Sequence, residues 1–390
     1  MTTTSSDSLA LDARHAPRPA EGTPRPADVA AAKPGRITAL DWARGLFLIL
    51  SVCSEAVLAP RPEQLVHATW SGITAYDLIF PLFVTLSGAG LALAYKNRAP
   101  ARVTARRVVV LLLAGLAYNA VTTAELTWET FRLTGPLQVY AVLVLVIAVL
   151  HRWVHTARGW ALTTLLVAAA VAVALAWWAT GCATGALTPE CNPSLVIDGR
   201  LLGSHMYAQG RLGHDPEGLV AIAGTFVTAA AGVTAGHLMV RYRRSPLAPA
   251  WLLGWAAVAL GAGVLLAQWV EPMKRLWTPS FALLAAGLGV AILAIGFLLH
   301  DVPAPAWWAG LRGRLAVLLV ALGRNSLLVY FGSHVVHSLL LRSGEPSAAV
   351  RIAEAVARDA DPRLEFVLLS LAAWWLLALV LHSRRIYVHA

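Results

Sequence analysis

TPSFALLAAGLGVAILAIGFLL, residues 278–299, runs 22 residues without a charge. As helix such a run rises about 33 Å, enough to cross the roughly 30 Å of bilayer hydrocarbon. Backbone in lipid must satisfy its own hydrogen bonds, which leaves helix or closed barrel. Barrel strands would appear as alternating segments of about ten residues, and this stretch is continuous, rich in the good helix formers Ala and Leu. The pattern recurs, predicting ten spans at 38–58, 74–95, 107–123, 134–150, 160–179, 217–240, 250–270, 278–299, 315–341 and 364–382. The expected fold is an all-α polytopic membrane protein. Gly323-Arg324-Asn325 interrupts the long ninth span, which is expected to tilt, bend or break.

Composition agrees. Of 390 residues 58% are hydrophobic and 13% charged, with mean hydropathy +0.64; a soluble domain carries about 25% charge. The net charge of +10 invites a nucleic-acid reading, but its distribution argues against one. About 20 of the 31 Lys and Arg fall in the N-terminal tail to Arg44, in 96–107, 151–158, 241–248 and 300–314, and at the C-terminus, alternating as the positive-inside rule requires. Both termini are therefore expected in the cytoplasm, with the chain multi-pass in the cell membrane, lipid as its main surroundings and no nucleic-acid partner.

Residues 1–35 are rich in Ala, Pro, Thr and Ser with no apolar period, which reads as a disordered cytoplasmic tail. It lacks the apolar core of a signal peptide, so the first span is expected to stay as an anchor. The remainder, 36–390, reads as one membrane domain with its largest outer loop at about 180–216. That loop holds Cys182 and Cys191, two of only three cysteines, and a disulfide is expected there. Gly232 and Gly236 have the spacing of a close helix contact. His334 and His337, one turn apart, lack a third ligand, so no metal is expected.

Polar groups within lipid are costly and tend to be functional. The richest cluster is Glu55 in the outer half of the first span, His67 in the following loop and Asp77 entering the second span. A His beside buried carboxylates can serve as base or nucleophile. The plainer alternative is a solvated loop histidine with Asp77 as a helix-start acid beneath a Thr74 cap.

His67-Ala-Thr-Trp70-Ser-Gly72-Ile-Thr74-Ala-Tyr76-Asp77-Leu-Ile-Phe80-Pro81 resembles the H-A-x-W-x-G-x-T-x-x-D-L-[IV]-F-P signature of the heparan-α-glucosaminide N-acetyltransferase family. Five more blocks resemble that family in order: Asp41-Trp-Ala-Arg44-Gly45, Arg132-Leu-Thr-Gly135-Pro-Leu137-Gln138, Asp215-Pro216-Glu217-Gly218-Leu219 with the glycines at 232 and 236, Leu276-Trp277-Thr278-Pro279-Ser280, and Gly323-Arg-Asn325-Ser326-Leu-Leu-Val-Tyr330. The resemblance implies a bacterial-type member without the extra luminal domain of animal members. It implies an integral membrane acetyltransferase that moves acetyl from cytosolic acetyl-CoA to an amino-sugar or related glycan acceptor on the outer face.

The family's catalytic histidine falls on His67, with Asp77 as the candidate orienter. The family's assisting Asn is missing, and Cys53-Ser54-Glu55-Ala56 stands there instead; Glu55 can accept from a histidine N–H but cannot donate to an oxyanion. For CoA the candidates are Arg44, Arg106, Arg107, Arg324, Asn325 and Ser326, with Lys96, Arg98 and Arg102 also in the densest inner loop. For the acceptor they are Trp70, Asp215, Glu217 and Trp277. Asp215-Pro216 reads equally as a helix cap, and the two tryptophans as interfacial anchors. A transporter or flippase, an inactive relative acting as a membrane partner, and a homodimer stay open on sequence alone.

Overall fold

The computed structural model describes residues 36–388 except 96–99, 125–126, 244, 304 and 358–360, with backbone only at 306, 308 and 309. The tail 1–35, Lys96 and Arg98 lie outside the described residues. Thirteen α-helices and a few 3-10 turns make up the described part: α1 Thr38–Ala56, α2 Ala75–Ala94, α3 Ala101–Thr123, α4 Pro136–Leu150, α5 Ala157–Thr180, α6 Pro193–Leu202, α7 Leu219–Arg241, α8 Ala248–Leu266, α9 Pro279–His300, α10 Ala306–Arg324, α11 Ser326–Arg342, α12 Ala348–Val356 and α13 Pro362–Ser383. Every predicted span is helical. Seven helices are individually long and apolar enough to cross a membrane, and α10 with α11 form an eighth as a pair bent by 64°. Of the other two, α4 is apolar but only 15 residues long, and α1 carries Asp41, Arg44 and Glu55. The ninth span breaks at Asn325, as its interruption led one to expect.

Two details correct the sequence reading. Helix α3 begins at Ala101 rather than near 107, so Arg102, Arg106 and Arg107 ride on its first turns instead of a loop; Pro100, which cannot continue a helix backwards, sets the start. Asp215 does not cap α7. That helix starts at Leu219, and Asp198 of α6 accepts from the Leu219 and Val220 amides at 2.8 and 3.4 Å.

The helices meet through backbone contact. A Cβ on Gly232 would strike the Thr85 carbonyl and one on Gly88 the Ala229 carbonyl, so α2 and α7 approach as closely as chains allow, as the Gly232–Gly236 spacing predicted. The same holds where Gly45 meets Leu319 and Gly323 meets Asp41, fixing α10 on α1. Phe47, Leu48, Leu86, Val290 and Phe297 fill the seams with no exposure. Asp301 accepts from the first-turn amides of α1, Thr38 at 3.0 Å and Ala39 at 2.7 Å, supplying acceptors that Ile37 cannot. Cys182 and Cys191 form the expected disulfide, which closes part of the large loop.

Candidate active site

Helix α2 begins with a capping box. Asp77 N–H donates to Thr74 Oγ1 at 3.3 Å while Asp77 Oδ2 accepts from the Thr74 amide at 3.1 Å, satisfying two orphan donors. The same carboxylate oxygen accepts from the Ala68 amide at 3.2 Å, and the Thr74 hydroxyl donates to the Val66 carbonyl at 2.8 Å. The His67 loop is thus folded back onto the helix start. The second carboxylate oxygen takes the histidine: His67 Nδ1 donates to Asp77 Oδ1 at 2.7 Å. Asp77 is therefore a helix-start acid and an orienter at once, and the two sequence readings of it merge.

With Nδ1 as donor, the lone pair of His67 lies on Nε2. The carboxylate side chain is 1% exposed and the imidazole 31%, so the open nitrogen stays reachable. The Tyr76 ring lies tilted against His67 with centroids 4.5 Å apart, and the Tyr76 hydroxyl donates to Glu55 Oε2 at 2.9 Å. Glu55 faces His334 Nε2 at 3.5 Å. Glu55 does not touch His67; Tyr76 stands between them. Burial pulls the His67 pKa below its ordinary value, the nearby Lys274 and Arg275 charges add to this, and Asp77 opposes it. The imidazole is neutral at neutral pH, the form a base or nucleophile requires.

Lys274 is the residue that sequence reading missed. It lies two positions before the Leu276-Trp277-Thr278-Pro279-Ser280 block, in what reads as a short outer loop, and one lysine there gives no sign of burial. Its Nζ stands 3.2 Å from His67 Nε2 and 3.4 Å from Nδ1, and the residue is 8% exposed. Burial lowers its pKa, opposed by the Glu217 and Asp77 charges.

The block after it explains the placement. Thr278 Oγ1 accepts from the Met273 amide at 2.9 Å and donates to the Glu271 carbonyl at 2.9 Å. Ser280 Oγ donates to the Val270 carbonyl at 2.7 Å, and Pro279 opens α9 where no N–H is needed. Two further bonds fasten this knot to the His67 loop, Gly72 N–H to the Pro272 carbonyl at 3.0 Å and Arg275 Nε to the Ala68 carbonyl at 3.1 Å. Gly72 sits at φ +92°, a conformation glycine adopts without strain.

The acceptor candidates separate. Trp277 is a core residue, fully buried, with Nε1 donating to Thr228 Oγ1 at 3.0 Å and its ring edge-on to Phe80 and Phe281; it neither anchors at an interface nor offers a face to a sugar. Asp215 is also fully buried. It accepts from Arg132 Nη2 at 3.3 Å, Thr134 Oγ1 at 2.5 Å, and the Tyr207 and Glu217 amides at 2.8 and 3.0 Å, leaving no lone pair for a ligand. Glu217 accepts from Arg132 at 2.6 Å. These two carboxylates outweigh burial and hold the Arg132 charge. Trp70 stays partly exposed, edge-on to His214 at 5.3 Å, its indole N–H donating to the Leu187 carbonyl at 2.8 Å.

Among the CoA candidates, Arg44 pairs with Asp41 at 3.5 Å and reaches the place where a Cβ on Gly90 would sit, inside the bundle. Arg106 is exposed and Arg107 partly so. Arg324 stacks on Tyr387 at 3.5 Å, and Asn325, fully buried, accepts the Val388 amide at 3.3 Å. Both contact the C-terminal segment, while Arg324 Nε and Asn325 Nδ2 are buried without a hydrogen-bond partner among the described residues. Ser326 opens α11, partly exposed. Among the described residues no group of three or more His, Cys, Asp or Glu is disposed to hold a metal.

A family model described as heparan-alpha-glucosaminide N-acetyltransferase, catalytic, matches residues 36–188, the segment carrying His67 and Asp77. The resemblance read from the sequence holds. The human heparan-alpha-glucosaminide N-acetyltransferase is 26% identical over 363 residues, covering 78% of this chain and 53% of that protein. The mouse protein of the same name is 25% identical over 362 residues, covering 78% and 54%. The chain spans about half the length of these curated relatives.

Proposed function

We propose that the protein is a membrane-embedded acetyltransferase, using acetyl-CoA supplied from the cytosol and an amino-sugar or related glycan acceptor on the opposite face. The observation that carries this reading is the His67–Asp77 pair. Asp77 fixes His67 in the tautomer whose lone pair is on Nε2, and the imidazole keeps access from outside. Acyl transfer from a thioester needs a base for the incoming amine, or a nucleophile that takes the acetyl first. A neutral, oriented imidazole suits either. The family blocks around the pair support the same chemistry.

The positive-residue distribution supports cytoplasmic termini, which puts His67 outside and Arg44 near the cytosolic end. Glu55 lies eleven positions after Arg44 on α1, about 16 Å of helix. Tyr140, Tyr330, Tyr118 and Tyr76 are each half-buried. Tyr140 lies in electrostatic range of Arg44, and Tyr330 in range of Tyr118, Tyr76, Tyr140 and Glu55. We assign the donor's acyl arm to the neighbourhood of these tyrosines, with Arg44 as its phosphate-side cation. Trp70 is the aromatic face available to an acceptor ring.

The test is acetyl transfer from labelled acetyl-CoA to glucosamine and related amines by the purified protein in lipid. His67→Ala is expected to reduce transfer to background while the protein stays folded. Undiminished activity in that variant removes His67 from the reaction. Absence of transfer to a broad acceptor panel, with uptake of a solute into vesicles instead, replaces the enzyme by a transporter.

A further inference from the structure

Several donors around His67 are committed elsewhere. The Tyr76 hydroxyl goes to Glu55, the Thr74 hydroxyl to Val66, Arg275 Nε to Ala68, the Trp70 indole to Leu187, and Arg132 Nη2 to Asp215 and Glu217. Lys274 is different. It brings three N–H groups, and among the described residues its hydrogen-bonding contacts are the two nitrogens of His67. Its nearly equal distances to the two nitrogens set Nζ over the imidazole face and not along the in-plane Nε2 lone pair, so the ammonium stands beside the reactive nitrogen without covering it. Its backbone is fixed by the Met273–Thr278 and Val270–Ser280 bonds.

We propose, resting on the acetyltransferase reading, that Lys274 is the oxyanion donor of the reaction. A thioester carbonyl brought to Nε2 must enter the space beside Lys274 Nζ. In direct transfer the acceptor nitrogen attacks the carbonyl carbon, forming the C–N bond as His67 Nε2 takes the amine proton. The carbonyl π pair moves onto oxygen, where Lys274 N–H donates to the developing charge. On collapse the C=O re-forms, the C–S bond breaks, and the CoA thiolate takes the proton from the His67 imidazolium. If Nε2 attacks first, the same oxygen acquires the charge and the same donor holds it. Preorganised donors at such an oxygen contribute about 10²–10³ in rate.

The experiment is built so that failure of the donor or acceptor assignment does not hide the answer. 4-Nitrophenyl acetate is an activated ester that imidazole attacks without CoA or a sugar, and its His67-dependent turnover is the wild-type rate minus that of His67→Ala. We expect Lys274→Met to lower this rate and acetyl transfer about 100-fold, and Lys274→Arg to keep at least a tenth of it. The acid limb of the ester profile should move to higher pH in Lys274→Met, since the lysine charge no longer opposes protonation; Asp77 and Arg275 remain facing the imidazole. An unchanged ester rate in Lys274→Met, or no His67-dependent ester turnover in the wild type, overturns the proposal. Loss of acetyl transfer alone, with the ester reaction following the expected pattern, counts against the donor and acceptor reading and leaves Lys274 in its role.

Discussion

Two carboxylates, Asp77 and Asp215, stand in equally strong sequence blocks, and both are almost completely buried, each beside a basic partner. Their chemistry is opposite. Asp215 meets four donors, one of them a permanent cation, so every lone pair is spent and the cluster is closed. Asp77 meets a titratable ring, whose other nitrogen keeps its lone pair with Lys274 Nζ 3.2 Å away. The lesson is one of open valence: a buried polar group is available for chemistry only when its hydrogen bonding leaves one atom free to react. Asp215 ties Arg132, Thr134 and Tyr207 together, and so joins segments about 80 residues apart. Asp77 holds the ring that we assign to the reaction.

The comparison breaks most decisively at Asp77. Asp77→Asn keeps the shape but donates where the carboxylate accepted, favouring the wrong tautomer of His67. Acetyl transfer should fall on the order of 10³–10⁴-fold, the scale seen when a histidine's orienting carboxylate becomes an amide, with folding measured by size exclusion unchanged. A loss below tenfold would return Asp77 to a helix-start role only.

At the closed cluster the effect should fall on stability. Arg132→Met leaves two buried carboxylates without their cation and should cost about 3–5 kcal/mol, read by denaturation in mixed micelles. The specific activity of the protein that remains folded should stay within about tenfold of wild type; a collapse of activity without loss of stability would make Arg132 part of the reaction.

The pH profile sharpens the contrast further. The reactive form of His67 is neutral, and its pKa lies below the ordinary histidine value, so transfer should be flat near neutrality and fall as pH drops through that lowered pKa. The acid limb is therefore expected below pH about 6.5, and a midpoint well above it would mean that Asp77 outweighs burial and the neighbouring cations.

The smallest effect is expected at Glu55, which reaches His67 only through Tyr76. Glu55→Gln keeps the acceptor for the Tyr76 hydroxyl and should change kcat by less than about tenfold. A larger loss would make Glu55 a direct participant.

Much of this was legible in the chain. The ten helical segments follow from uninterrupted apolar runs, the close α2–α7 crossing from Gly232 and Gly236, the break from Gly323-Arg324-Asn325, and the disulfide from two cysteines in one loop. His67 and Asp77 were legible because ten residues of chain can fold back on one helix start. The Arg132 cluster and Lys274 were not, because their partners lie 83 and 207 residues away, and no local pattern reports such a distance. Trp277 misled for the same reason: its position at a span end suggested an interface, while φ +47° and the Thr228 bond turn its ring inward.

The 22 apolar residues of 278–299 required a helix in lipid whatever surrounded them, because unsatisfied backbone in hydrocarbon is too costly. Sequence by itself determined the helical membrane fold, its approximate segments and the histidine with its orienting acid. Tertiary structure alone decided which polar groups were left with something to do. Whether a buried carboxylate, lysine or indole is spent or free depends on the partners that packing brings to it, and those come from distant parts of the chain.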